Sequence, residues 1–234
     1  MKGKSHAVTC LTYILILSLF LMVIWGADEA VTTLAQRIPL ERNATIVIDP
    51  GHGGPDGGAT SCTGILESKM NLEISLTLND LLHLLGYQTR MIRTTDVSVY
   101  TSGDTIAAKK VSDLRQRVRI VNETDNAVLL SIHQNTFTDH RYAGAQVFYS
   151  TAGQSRELAE GLQSQFNQTL NPGSNRMAKQ ADGIYLMQHI QKTGILIECG
   201  FLSNPEEEAK LRNTDYQKKI CSVIGTTVAR FLTE

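Results

Sequence analysis

An α/β domain with a mainly parallel sheet covered by helices on both faces is the fold class the sequence predicts, and three observations predict it. Short apolar runs of strand length occur at residues 45–48 (TIVI), 127–132 (AVLLSI) and 194–197 (GILI), as expected of strands buried on both faces. Between them lie segments whose apolar residues recur at spacings of three and four, the sign of helices with one buried stripe. Strand and helix alternate along the chain, which is the pattern of parallel strands joined by helical crossovers.

The first element falls outside that pattern. Residues 7–27, AVTCLTYILILSLFLMVIWGA, carry no charge and follow Lys2 and Lys4. Such a segment is long enough to cross a hydrocarbon layer of about 30 Å as a helix. A cleaved secretory signal competes, but it wants small residues before the cut, and cutting after Ala27 or Ala30 would put Trp25 or Asp28 there. The expectation is an uncleaved membrane anchor over 1–27, with its lysines cytoplasmic and everything beyond Ala27 on the outer side. A polar stalk over 28–43 follows, then one domain over 44–234. About 200 residues suffice for one real core and not for two.

Within that domain the first strand, 45–48, runs into the glycine-rich turn DPGHGGPDGGA. A helix is expected from about Glu67, with Met70, Ile74, Leu78, Leu81, Leu82 and Leu85 on its apolar stripe and Gly86 as its stop. Residues 87–93 read as a strand, and the polar run 94–110 as a loop with some helix. A helix over 112–122 leads to the strand 127–132, which ends at His133. Next come a strand at 145–150, a helix from about Ser155 carrying Leu158, Leu162, Phe166 and Leu170, a strand near 184–187, and the strand 194–197 ending at Glu198. Pro205 opens a helix at its first position, and Ile220, Val223, Ile224, Val228 and Phe231 mark the last one.

Formal net charge is -1 and the basic residues are scattered, so there is no electrostatic footprint for DNA or RNA. Of four cysteines, Cys10 lies in the expected anchor, which leaves at most one disulfide among Cys62, Cys199 and Cys221.

Chemistry concentrates where apolar strands end at an ionisable residue: His52 just past the first, His133 after AVLLSI, and Glu198 after GILI. In open α/β sheets the crevice beyond the carboxyl ends of the strands is where ligands bind, and Glu67, at the mouth of the first helix, can reach the same place. Two histidines and one carboxylate with an open fourth position form a usual catalytic zinc set, leaving a second carboxylate free to act on the water. A plain structural reading stands beside it, in which each histidine is merely hydrogen-bonded and Glu198 is an ion-pair partner. The glycines around His52 suit a close approach of backbone and substrate to an ion. His6, His83, His140 and His189 sit away from these strand ends.

The segments DPGHGGPDGG, GILESKMNLEIS, LSIHQN and ILIECGFLSNPEE, in this order, resemble the four motif blocks of the zinc-dependent N-acetylmuramoyl-L-alanine amidases of the Amidase_3 type. The resemblance covers residues 45–232. It implies a three-layer α/β/α sandwich, Zn2+ on His52, Glu67 and His133, and Glu198 as the catalytic carboxylate. It extends to Asn71, Leu72, Arg117, Asn122, Asn135, Gly200, Phe201, Ser203, Asn204 and Pro205. Asp49 and Asn135 are the candidates for supporting the site from behind, Asp49 by orienting a ligand imidazole or, equally, by capping its own turn. Gln134 stands where alanine is common and Cys199 where a small or aliphatic residue is usual, which would alter the groove walls.

A short anchor plus a bare catalytic domain looks most like the germination-specific, membrane-anchored amidases of endospore-forming bacteria, and the stretch SGDTIAAKKVSDLRQRV adds to that impression. The resemblance implies peptidoglycan as substrate, removal of stem peptides from the spore cortex on the way to muramic δ-lactam, and a lipoprotein partner. It also implies an extracytoplasmic catalytic domain, in a sporulating cell between forespore and mother-cell membranes. The competing readings are a vegetative cell-separation amidase, another wall-directed zinc hydrolase, and a non-catalytic wall-binding protein. The last would be expected to have lost one of the four site residues.

Overall fold

The structure, a computed structural model, describes residues 43–233 together with Ser18 and Met22. The expected anchor and stalk thus lie outside the described residues, apart from Ser18, Met22 and Asn43. Among the described residues no helix is long and apolar enough to cross a membrane.

Strands β1 (Thr45–Pro50), β2 (Gln88–Met91), β3 (Ala127–Asn135), β4 (Gln146–Tyr149), β5 (Lys179–Gln180) and β6 (Thr193–Phe201) form one sheet in the order β2-β1-β3-β6-β4-β5. The pairs β1/β2, β1/β3 and β3/β6 are parallel, β4 runs antiparallel to β6, and β5 pairs parallel with β4. The apolar runs become the three central strands, in which Ile46, Val47, Ile48, Leu129, Leu130, Ile132, Ile195 and Ile197 are wholly buried. Burial on both faces is what their unbroken apolar character required.

Helices α1 (Glu67–Leu84), α2 (Ile106–Asn122), α3 (Ser155–Thr169), α4 (Tyr185–His189), α5 (Pro205–Leu211) and α6 (Thr214–Phe231) supply the outer layers. On one face α6 packs against both α1 and α3, with α1 over β1, β2 and β3 and α3 over β4 and β6. On the other, α2 and α4 pack together, and Val121, Leu186 and Met187 cluster with Val47, Leu129 and Leu196 of the sheet. This is the three-layer α/β/α arrangement. Gly86, at φ 83°, ends α1: its N–H donates to His83 O at 2.9 Å and that of Tyr87 to Leu82 O at 3.0 Å, so two carbonyls that would face solvent unpaired are satisfied. Asn204 caps α5 with Pro205 at its first position, and Asn213 caps α6.

One expected element is corrected. Residues 184–187 do not form a strand: α4 occupies Tyr185–His189, and the edge strand β5 lies earlier, at Lys179–Gln180. A short apolar run cannot be assigned by periodicity alone. Here Leu186 and Met187 are drawn into the core beneath α2, and a single helical turn brings both onto that side, where a strand would send them to opposite faces. Cys62, Cys199 and Cys221 are free thiols, the last two buried.

Candidate metal centre

Parallel register brings the carboxyl ends of β1, β3 and β6 to one edge of the sheet. Pro50 is level with Ile132, Ile132 with Ile197, and His133 with Glu198. The ladder continues one residue past β1, where Gly51 N–H donates to Ile132 O at 2.9 Å, and then the chain turns at His52, held at φ 59°. Left-handed backbone at a residue with a Cβ is uncommon and needs support. Two buried arginines provide it. Arg93 donates to Pro50 O and Gly51 O, both at 2.9 Å, and Arg117 to Pro50 O at 3.0 Å and His52 O at 2.7 Å. Helix α1 begins against the same turn, with Glu67 N–H donating to Ala59 O at 2.8 Å.

Glu67 is the centre of the resulting cluster. His52 Nε2 lies 3.2 Å from its Oε2, and His133 Nδ1 lies 2.9 Å from its Oε1. The two imidazole rings meet edge to face, their centroids 5.0 Å apart. Three further donors fix the carboxylate: Ala59 N–H at 3.0 Å, Asn71 Nδ2 at 3.2 Å and Gln134 N–H at 3.2 Å. One ligand atom from each of His52, Glu67 and His133 can be chosen so that all lie within 4.8 Å of one another. The two separations to Glu67, 3.2 and 2.9 Å, suit one small cation, because tetrahedral bonds of about 2.0–2.2 Å put neighbouring donors roughly 3.3 Å apart.

The turn's glycines explain why the side chains can come so close. A Cβ on Gly51 would stand 2.3 Å from the His133 ring, and one on Gly58 would stand 2.5 Å from Glu67 Oε2 and 2.7 Å from His52 Cδ2. Their smallness thus makes room for the clustered side chains themselves.

Glu198, half-buried on the strand next to His133, completes the group. Its Oε2 is buried and has no hydrogen-bond partner among the described residues. Burial pushes its carboxyl up to about 7, with His133 and His52 opposing and Glu67 assisting. At Glu67 burial acts in the same upward sense, but hydrogen bonds and charge interactions with His133 and His52 outweigh it and hold the acid far below the usual carboxylate range. Burial would lower His52, yet Glu67 and Asp56 raise it.

These shifts predict how the metal-free protein responds to pH. Glu67, depressed, contributes stability that is present above 4.5 and lost as pH falls toward its folded-state value. His52, raised, contributes stability that is complete below 6.5 and lost as pH rises through its folded-state value. Glu198, raised, costs stability progressively from pH 4.5 to about 7. Thermal melts in excess chelator are therefore expected to peak on the acid side of neutrality, and a melting temperature still climbing above pH 6.5 would contradict the balance.

The supporting residues differ from expectation. Asp49 orients no imidazole: its carboxylate accepts from Arg117 Nη1 and, at 2.7 Å, from Ser131 Oγ. It acts on the turn through Arg117, which also pairs with Asp113 at 2.6 Å. Asn135 Oδ1 accepts from the N–H of Thr136 at 2.8 Å. Gln134 and Cys199 are 3 % and 1 % exposed, so these departures from the family pattern lie beneath the site, not in the groove walls. Sequence reasoning passed over Asp56, whose Oδ2 sits 3.1 Å from His52 Nδ1, and Arg93. The aspartate lay in the quoted turn, four residues past His52, but its aim depends on a left-handed residue that only the fold reveals.

The model of the family Amidase_3, N-acetylmuramoyl-L-alanine amidase, matches residues 46–230. The germination-specific N-acetylmuramoyl-L-alanine amidase of Bacillus subtilis (strain 168) is 38% identical over 191 residues, covering 81% of this chain and 80% of that protein. The CwlD amidase from Clostridioides difficile, solved in complex with the GerS lipoprotein, superposes with a TM-score of 0.77 at 35% identity, covering 81% of this chain and 98% of that one. The N-acetylmuramoyl-L-alanine amidase from Clostridium difficile 630 superposes with a TM-score of 0.70 at 32% identity, covering 81% and 97%.

Proposed function

We propose, from the premise that this chain belongs to the N-acetylmuramoyl-L-alanine amidase family, that it is a zinc enzyme of the spore cortex in which His52, Glu67 and His133 hold the ion and Glu198 moves the proton. The activity itself is hydrolysis of the amide between the lactyl group of N-acetylmuramic acid and L-alanine in peptidoglycan. One observation carries the assignment of roles. Two imidazole nitrogens converge on the two oxygens of a single carboxylate, while a second carboxylate with an unpartnered oxygen stands level with one of the histidines.

Zinc at this position would supply Lewis acidity, polarising the scissile carbonyl and lowering the pKa of a coordinated water to about 7. The donor set, two imidazoles and one carboxylate, is a usual one for catalytic zinc. The rest falls to the chain's own groups. Glu198 accepts the proton of the attacking water and delivers it to the leaving amine of L-alanine. A carboxyl whose burial brings it to about 7 can do both near neutral pH. Ala59 N–H, Asn71 and Gln134 N–H hold Glu67 in place so that it need not reorganise during turnover.

Incubating purified peptidoglycan with the full-length chain, in mild detergent, tests the reading. Free stem peptides with L-alanine at their amino end and intact glycan strands are expected, with release abolished by a chelator and restored by Zn2+. Acetate or cleaved peptide cross-links would instead indicate another wall hydrolase, and restoration by a different cation alone would refute zinc.

The relatives named above support the cortex role and a lipoprotein partner. An anchor over 1–27 and a stalk over 28–43 would hold the catalytic domain, 44–234, on the extracytoplasmic side. Spores of a deletion strain are expected to lack muramic δ-lactam, and spores with normal cortex chemistry would assign the enzyme to vegetative wall turnover.

A further inference from the structure

Two acidic side chains lie in or next to the His52 turn, and the structure gives them different partners. Asp49 is spent on Arg117 and Ser131. Asp56 addresses His52 Nδ1, at 3.1 Å, on the side of the ring away from Glu67. We infer that Asp56 is a positioning residue for His52, fixing the ring tautomer and direction that present Nε2 to the ion, with Lys110 of α2 holding the Asp56 carboxylate in turn. The inference rests on the reading of His52 as a zinc ligand.

The carboxylate is held from several sides. Backbone bonds between Gly53 and Asp56, N–H to O at 2.8 Å in one direction and 3.2 Å in the other, close the turn that carries both His52 and the aspartate. Gly58 N–H approaches Oδ1 at 3.4 Å, and Lys110 Nζ lies 3.1 Å from Oδ2, the oxygen that faces the ring. A ring N–H given to a carboxylate leaves the lone pair on the other nitrogen and makes that nitrogen a better donor. Here the other nitrogen is Nε2, 3.2 Å from Glu67 Oε2. Lys110 is half-exposed, so its contribution is to direction more than to energy. At His133 no carboxylate among the described residues pairs with the second ring nitrogen: Nδ1 faces Glu67, and the far side of the ring abuts Gly51. His133 is aimed by β3 and by close packing, whereas His52, beyond the end of its strand on a strained turn, depends on a side chain.

The test is zinc affinity, measured on the full-length chain in mild detergent by competition with a chromophoric chelator at neutral pH, with cobalt(II) absorption as a second signature. Asp56→Ala is expected to weaken zinc binding 10–100-fold, the usual cost of losing a group that orients a metal ligand, and to alter the cobalt spectrum. Asp56→Asn keeps an oxygen able to accept from Nδ1–H and is expected to recover much of the loss. His52→Ala serves as reference and should bind more weakly than either. If Asp56→Ala binds like the parent while His52→Ala is impaired, the role of Asp56 is overturned and the ligand assignment survives. Equal weakening in Asp56→Ala and Asp56→Asn overturns it as well, since an acceptor would then make no difference. If His52→Ala itself binds like the parent, the zinc reading of His52 fails and the inference fails with it. Melting temperatures of the chelated variants separate these outcomes from a loss of fold.

Discussion

Replacing Glu198 with alanine should leave metal content unchanged while stem-peptide release falls by roughly 10²–10⁴-fold, the usual range for a positioned general acid–base. The separation follows from geometry. Among the described residues the ring nitrogens and the Glu67 oxygens pair with one another and not with Glu198, whose Oε2 has no hydrogen-bond partner. Deleting the side chain therefore removes no bond that shapes the cluster. It also relieves the burial that drives the acid up to about 7, so the variant should melt no lower than the parent. Glu198→Gln fills the same space without the ability to take a proton and should be equally slow. The measurements are metal content by mass spectrometry and muropeptide release on purified wall. Activity within tenfold of the parent in either variant would remove Glu198 from the mechanism, and zinc loss in the alanine variant would make it a ligand instead.

The second large effect is expected at Arg117, on stability. The residue is 2 % exposed, and its guanidinium joins Asp49, itself 1 % exposed, to Asp113 and to the carbonyls of Pro50 and His52. Burial alone would lower its pKa, and the two aspartates more than compensate. Arg117→Ala strands the Asp49 carboxylate with Ser131 as its remaining hydrogen-bond partner. Breaking a buried pair from one side costs about 3–5 kcal/mol. For a domain of this size that is a fall in Tm of roughly 6–20 °C. Arg117→Lys restores a charge but not the fork that reaches four acceptors, and should recover only part of the loss. Urea unfolding in chelator measures both; a cost below about 1 kcal/mol in the alanine variant would mean that the pair is not what holds the turn. Arg93, lowered to about 10 by burial and by the neighbouring Arg117 charge, cannot substitute, because its own donors are committed to Pro50, Thr95, Gly51 and Ser68.

Much of the fold was legible because the central strands announce themselves: unbroken apolar runs have few ways to be buried, and β1, β3 and β6 are where TIVI, AVLLSI and GILI stand. The gathering of His52, Glu67, His133 and Glu198 was legible for a related reason. Ionisable residues that end parallel strands must emerge on one edge, and the mouth of α1 opens there. Polar partnerships were not. Asp49 and Asp56 flank His52 at similar distances in sequence, and which one meets the imidazole is decided by the positive φ at His52 and by the pull of Arg117. Periodicity is silent on both. The strand expected at 145–150 is β4, but its antiparallel direction and the single-turn α4 were beyond reach, since four- and five-residue elements take their direction and form from the surface they land on.

The backbone carbonyls around His52 are gripped by two guanidinium groups, so the path of the turn is set by side chains that lie behind the cleft. A substitution that loosens either guanidinium would then be felt at the imidazole without touching it.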